Sequence, residues 1–227
     1  MNKFKLSALL LSVAVLFSSC ASMQSNTAKG GAIGAGSGAA LGAIIGGIAG
    51  KGKGAVIGAA IGTAVGGGTG AIIGKKMDKK AAEAAAIEGA QVQQVQDNNG
   101  LAAVKVTFDS GILFEFNSST LSPASKRSLS EFADILKQDP TLDIAIFGKT
   151  DKVGSYEANQ TVSNRRAQAV KNFLQLRGVS NYQFKTVQGV GYDDYDESLT
   201  AAQNRVVDIY MYASEQMIHD ANAQAGY

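Results

Sequence analysis

The chain has 227 residues, 27 of them glycine, with one cysteine, one histidine and a formal net charge of +2. A single cysteine excludes an internal disulfide. A single histidine, His219, close to the C-terminus, argues against a histidine-built catalytic or metal centre, and near-neutral charge removes the electrostatic basis for general nucleic-acid binding. Most glycines fall between residues 30 and 74 and almost all aromatics after residue 100, so a globular core is expected in the C-terminal half alone.

Lys3 and Lys5 open the chain and precede an apolar run from Leu6 to Phe17, too short for an ordinary spanning helix. Ser18 and Ser19 then lead to Cys20. Small residues before a cysteine resemble a bacterial lipoprotein cleavage site. The resemblance implies that residues 1–19 are a signal peptide and that Cys20 carries a covalent lipid, with no other cofactor. Losing Lys3 and Lys5 lowers Lys+Arg from 21 to 19, equal to the 19 Asp+Glu. Residue 21 is Ala rather than Asp, which by resemblance to known sorting rules implies the outer membrane, with the later domain in the periplasm.

After a tether at 20–29, glycine recurs at 30, 34, 38, 42, 46, 50, 54, 58, 62, 66, 70 and 74 without a miss. Ala, Ile, Val and Leu fill most of the gaps, unlike the polar filling of a flexible linker. In water each glycine costs a helix about 1 kcal/mol relative to Ala. In lipid the unpaired backbone forces helix formation, and glycine at every fourth position lets another helix approach closely. Lys51 and Lys53 divide the ladder into two arms, each about 31 Å long as helix, close to the thickness of a hydrocarbon core. Residues 30–74 are therefore read as a membrane-associated helical hairpin, with homo-oligomerisation through its glycines as a further expectation. Lys29 marks one end and Lys75, Lys76, Lys79 and Lys80 the other.

Residues 75–100 are read as a helical link, because Lys79 to Gln96 is rich in Ala, Gln and Glu and Asp97-Asn98-Asn99-Gly100 breaks it. Val104, Val106 and Phe108 alternate as in a half-buried strand. Asp109-Ser110-Gly111 reads as a turn and Ile112–Phe116 as a second strand. Ser122 and Pro123 fit an N-cap and first helical position, followed by Leu129, Phe132, Ile135 and Leu136 at helical spacing. A strand at Leu142–Phe147, a helix from about Tyr156 to Arg177 closed by Gly178, and strands at Tyr182–Gln188 and Arg205–Tyr212 complete the order ββαβαββ. That order predicts an α+β sandwich with helices on one face of a small sheet. Residues 214–227 form a tail, as a short helix or frayed.

The run Gly148-x-Thr150-Asp151-x-x-Gly154, then Asn159, Ser163-x-x-Arg166-Ala167, Gly189-x-Gly191 and Asn204-Arg205, resembles the OmpA-like peptidoglycan-binding domain. Phe114-x-Phe116 with Leu121 also fits. The likeness spans 101–213. The layout of lipid-modified cysteine, glycine zipper and this domain resembles the YiaD-type lipoproteins. The resemblance implies non-covalent binding of a peptidoglycan stem peptide by Asp151 and Arg166. It implies support from Asn159, Thr150 and Arg205, and a pocket rim at Phe116 and Asn117. A diaminopimelate-type stem residue carries an ammonium and a carboxylate on one carbon, so an acidic and a forked basic side chain set close together suit it.

Spacing alone leaves other readings open. Asp151 and Arg166 could pair with each other, or Asp151 could cap the following helix. Lys149, where the family usually has His, is expected to add positive charge beside the site. Gly148 and Gly154 suit tight turns. Tyr192, Tyr195, Tyr210 and Tyr212 could stack on a sugar or simply pack. No enzymatic constellation emerges. The alternative function is an oligomeric membrane assembly, a pore or scaffold, in which wall binding only positions the ladder. The partners expected are peptidoglycan, membrane lipid and further copies of the chain.

Overall fold

The computed structural model describes residues 67–114 and 118–227. Cys20 and the ladder up to Gly66 lie outside them, as do Phe116 and Asn117. The elements run α1 (Gly67–Ala85), β1 (Ala90–Gln96), β2 (Ala102–Asp109), α2 (Ser110–Leu113), α3 (Pro123–Gln138), β3 (Leu142–Lys149), α4 (Tyr156–Leu176), β4 (Phe184–Gly191), α5 (Ala201–Asn204), β5 (Val206–Ala213) and α6 (Glu215–Ala225).

Five strands form one sheet in the order β1-β2-β5-β3-β4, antiparallel except for the β3–β4 pair. Period-two alternation decides which face each side chain serves. Val104, Val106 and Phe108 of β2 lie in register with Met211, Ile209 and Val207 of β5, and Ile144 and Ile146 of β3 continue the row. This face meets α3 through Leu129, Phe132 and Leu136, α4 through Val170 and Leu174, and α1 through Ile73 and Met77, all buried. The opposite face carries a smaller cluster around Phe147, Tyr210 and Tyr212. Helices on one face of a small sheet is the architecture expected from the sequence.

Three local expectations are corrected. The stretch after Phe108 is not a second strand. Asp109 Oδ1 accepts from the Gly111 amide at 2.6 Å and caps the one-turn helix α2, and Phe114 only bridges to Leu121. The residues read as a helical link belong to the domain. Helix α1 stops at Ala85, Gly89 turns the chain at φ +81°, and β1 pairs with β2 from Ala90 onward. The second arm of the predicted hairpin is not free for lipid at its end: Thr69, Gly70, Ile73 and Gly74 are buried in α1.

The lysines expected at a membrane boundary lie within that same helix. Lys80 is buried, with Nζ 2.9 Å from Glu83 Oε2 and within 3.5 Å of the Ile135 carbonyl. The C-terminal tail is the reason α1 can dock. Helix α6, capped by Ser214, lays Met217, Ile218 and Ala221 into the same core. Thr69 Oγ1 donates to Asn222 Oδ1 at 2.5 Å, and a Cβ on Gly68 would stand 3.0 Å from Ala225 Cβ. Among the described residues no helix is long and apolar enough to cross a membrane.

Candidate functional site

The site forms where β3 ends and α4 begins. Two glycines let α4 sit directly on the sheet. A Cβ on Gly148 would lie 2.2 Å from the Ser163 carbonyl oxygen, and one on Gly189 would lie 2.1 Å from the Asn164 nitrogen. Gly148 thus serves close approach rather than the turn expected of it, while Gly154 does turn the chain, at φ +97°. The seating is fixed by the Gly189 amide donating to Asn164 Oδ1 at 2.7 Å and the Gly191 amide donating to Ser163 Oγ at 3.0 Å.

The 150–155 loop is then held from several sides. The Thr150 amide donates to the Gly191 carbonyl at 2.8 Å. Asn159 Nδ2 donates to the Val153 and Ser155 carbonyls at 3.0 and 3.1 Å. Asn159 is buried, so its work is to shape the loop. Asp151 Oδ1 accepts from the Val153 amide at 3.0 Å, while Ser155, not Asp151, caps α4. Asp151 Oδ2 receives Arg205 Nη1 at 2.6 Å. Thr150 Oγ1 is buried without a hydrogen-bond partner among the described residues.

Arg166 is placed on α4 one turn after Ser163, on the flank facing Phe114 and Ser118. Its Nε donates to the Ser118 carbonyl at 3.3 Å, and its guanidinium carbon lies 5.2 Å from the Phe114 ring centre. No described carboxylate forms a salt bridge with it: Asp151 pairs with Arg205 instead. Burial lowers the Arg166 pKa, the neighbouring Arg205 charge lowers it further, and Asp151 opposes both. A guanidinium remains charged regardless. The result is a half-buried cation, fixed at one nitrogen and over an aromatic ring, beside a second cation and one carboxylate.

Lys149 does not add charge to this site. It points to the opposite face of the sheet, where Nζ lies 2.9 Å from Asp208 Oδ2 and 2.5 Å from Asp194 Oδ2. Lys105 reaches the same Asp208 oxygen at 3.3 Å, and Thr107 Oγ1 donates to Asp208 Oδ1 at 2.5 Å. Burial opposes the Lys149 charge, but the two carboxylates outweigh it and raise its pKa. Lys105, Lys149 and Asp208 line a polar cavity of about 340 Å³ on that face. Charge on one side of the sheet is therefore settled locally before it reaches Asp151.

The structure thus brings together Asp151, Arg166, Arg205, Asn159 and Thr150. Sequence reasoning missed the Ser118 carbonyl that orients Arg166, and the Asp194–Lys149–Asp208 chain. A signal for the latter was available: Asp208 interrupts an otherwise apolar strand, Val206-Val207-Asp208-Ile209, and a buried carboxylate needs a cation. Tyr210 and Tyr212 are buried and pack, whereas Tyr156 and Tyr192 meet edge to face near the surface with ring centres 5.6 Å apart. Among the described residues no group of His, Cys, Asp and Glu is arranged to hold a metal ion.

A five-stranded mixed sheet with helices on one face and an Asp–Arg–Arg cluster at the mouth of the β3–α4 loop defines an OmpA-like domain. Residues 113–213 match the model of the OmpA family, and residues 1–78 match that of the YMGG-like Gly-zipper. The chain is 31% identical over 135 residues to the peptidoglycan-associated lipoprotein of Pseudomonas aeruginosa, covering 56% of this chain and 72% of that one. This protein belongs to the OmpA family. It is also 33% identical over 125 residues to the probable lipoprotein YiaD of Escherichia coli (strain K12), 53% of this chain and 54% of that one, so it spans about half the length of that relative. In fold it is similar to the crystal structure of a putative MotB like protein from Desulfovibrio vulgaris, with TM-score 0.50, 23% identity, and coverage of 62% of this chain and 88% of that one.

Proposed function

We propose that this protein anchors the outer membrane to the cell wall by gripping a peptidoglycan stem peptide from the periplasmic side. The observation that carries the reading is the guanidinium fork of Arg166, which forms no salt bridge among the described residues. Its Nε and ring face are occupied, yet its charge meets no described carboxylate. A half-buried cation whose remaining donors meet no described carboxylate is a site for a carboxylate arriving from outside.

Asp151 supplies the opposite pole. Each of its oxygens already accepts one bond, from Arg205 and from the Val153 amide. A carboxylate offers about four acceptor directions, so an incoming ammonium can still be met. Arg205 holds the carboxylate aimed, and Asn159 fixes the loop. In this reading a zwitterionic diaminopimelate-type centre places its ammonium on Asp151 and its carboxylate on Arg166. A lipid on Cys20 provides the membrane end, supported by likeness to two relatives named as lipoproteins.

The test is co-sedimentation of the full chain with purified wall sacculi. Wild type is expected in the pellet, and Asp151→Ala and Arg166→Ala in the supernatant. Wild type left in the supernatant overturns wall binding. Both variants pelleting with wild type overturns the site alone.

A further inference from the structure

The loop that carries Asp151 continues into an aromatic surface with no role in gripping a stem peptide. Tyr156 opens α4, five residues after Asp151, and keeps 43% of its surface exposed. It is nevertheless held in place. Its hydroxyl donates to Asp193 Oδ2 at 3.2 Å and accepts from Gln160 Nε2 at 3.2 Å, while its ring meets Tyr192 edge to face. Beside it, Lys152 sits 4.6 Å from the centre of the Tyr195 ring and pairs with Glu197. Val153, between Lys152 and Gly154, is 78% exposed.

The geometry points to a second subsite adjoining the 150–155 loop, in which Tyr156 and Tyr192 receive an amino-sugar unit of the glycan strand while Asp151 and Arg166 hold the peptide attached to it. A ring 43% exposed, held at its hydroxyl and against Tyr192, offers a pre-set aromatic surface to the apolar C–H face of a sugar at little entropic cost. Asp193 and Glu197 offer acceptors for sugar hydroxyls and acetamido N–H groups. Charge narrows the partner further. Lys152 against Asp193, Asp196 and Glu197 leaves this rim acidic, which disfavours an anionic peptide or phosphate and is indifferent to a neutral, hydroxyl-rich strand. The subsite is also continuous with the proposed peptide site through the 150–155 loop. Wall attachment is then read at the joint between glycan and peptide rather than at the peptide alone.

The inference rests on the proposed stem-peptide reading, and one titration separates the two. The full chain in detergent is titrated with a disaccharide-tetrapeptide and, separately, with the free tetrapeptide. Wild type is expected to bind the disaccharide form roughly fivefold to tenfold more tightly, the span expected from one aromatic stacking contact. Tyr156→Ala and Tyr192→Ala are expected to bring the disaccharide form down to the level of the free peptide and to leave the free peptide unchanged. Tyr156→Leu, which keeps an apolar side chain on the surface, is expected to behave as Tyr156→Ala does. Equal affinity of wild type for both ligands overturns the glycan subsite and leaves the peptide site standing. So does an equal loss for both ligands in Tyr156→Leu. Binding of neither ligand by wild type overturns both.

Discussion

Replacing Gly189 by Ala tests the seating on which the whole site depends. The added Cβ would stand 2.1 Å from the Asn164 nitrogen, 2.2 Å from Ser163 Oγ and 2.4 Å from the Ser163 carbonyl carbon. Carbon atoms prefer separations of roughly 3.5 Å or more, and two of the three obstructing atoms are backbone. Helix α4 must therefore retreat from β4 by roughly 1 Å or more. The retreat stretches the bonds from the Gly189 amide to Asn164 and from the Gly191 amide to Ser163. Overpacking relieved by side chains costs about 1–3 kcal/mol. With backbone in the way the loss is expected at the top of that range, about 3 kcal/mol, or roughly 6–12 °C in Tm for a body of this size. Urea unfolding reads it as a lower midpoint at unchanged slope. Arg166 lies one turn beyond Ser163, so sacculus binding is expected to fall further than stability alone explains, measured at a temperature where the variant is folded. Gly68→Ala, whose added Cβ comes no nearer than 3.0 Å to anything, at the Ala225 Cβ, is the matched control and is expected to cost under about 1 kcal/mol. A Gly189→Ala variant within about 0.5 kcal/mol of wild type refutes the close-seating argument.

A fragment beginning at residue 101 is expected to lack a cooperative unfolding transition and to bind hydrophobic dyes, because it loses β1 and the buried Ile73, Met77, Ala81, Ala84 and Ile87. A fragment beginning at residue 67 is expected to unfold as one unit, and calorimetry of both decides. Lys149→Met leaves fully buried Asp208 with Lys105 as its one cation among the described residues and should cost about 3 kcal/mol or more in urea unfolding. The Lys149 pKa is raised in the fold, so its contribution is complete below the ordinary lysine value and disappears as pH climbs through the folded one. Asp97 behaves oppositely to a paired carboxylate. Burial outweighs its bonds from the Leu101 and Asn99 amides and raises its pKa to about 6. The folded state therefore holds that proton more tightly than the unfolded chain. The stability this confers is complete below about pH 4 and is lost as pH rises through about 6. Asp97→Asn should flatten the slope of unfolding free energy in that window and stabilise the protein at pH 7, by at most on the order of 3 kcal/mol.

Elements whose cause is local were legible in the sequence. Ser122-Pro123 and Gly178 bracket α3 and α4 as read, because capping chemistry acts over three or four residues. Val104, Val106 and Phe108 showed their strand and its buried face for the same reason. Two misreadings came from tertiary pairing. Gln91 to Gln96 has good helix formers, yet the chain turns at Gly89 and an open edge of β2 takes it as a strand. Ile112 to Phe116 is rich in strand formers, yet Asp109 captures the Gly111 amide first and starts a helical turn. At the site, the motif singled out Asp151, Arg166 and Arg205. It could not say that Asp151 pairs with Arg205 rather than Arg166, because that depends on where β5 begins relative to β3. Nor could it show that Lys149 faces away, which follows from strand alternation only once the register of β3 against β5 is known.

The docking of α1 has a mechanical consequence. The helix enters from the glycine ladder and is clasped between α6 and the sheet, with Ile73 and Met77 fully enclosed. A pull applied at the N-terminal end of α1 therefore loads that helix in shear along a packed interface. From there the load passes to β1 and β2, crosses β5, and leaves through β3 and the loop bearing Asp151. Each crossing is a full ladder of backbone hydrogen bonds. The domain is thus a stiff link, with α1 on one side and the loop bearing Asp151 on the other joined across the width of its sheet.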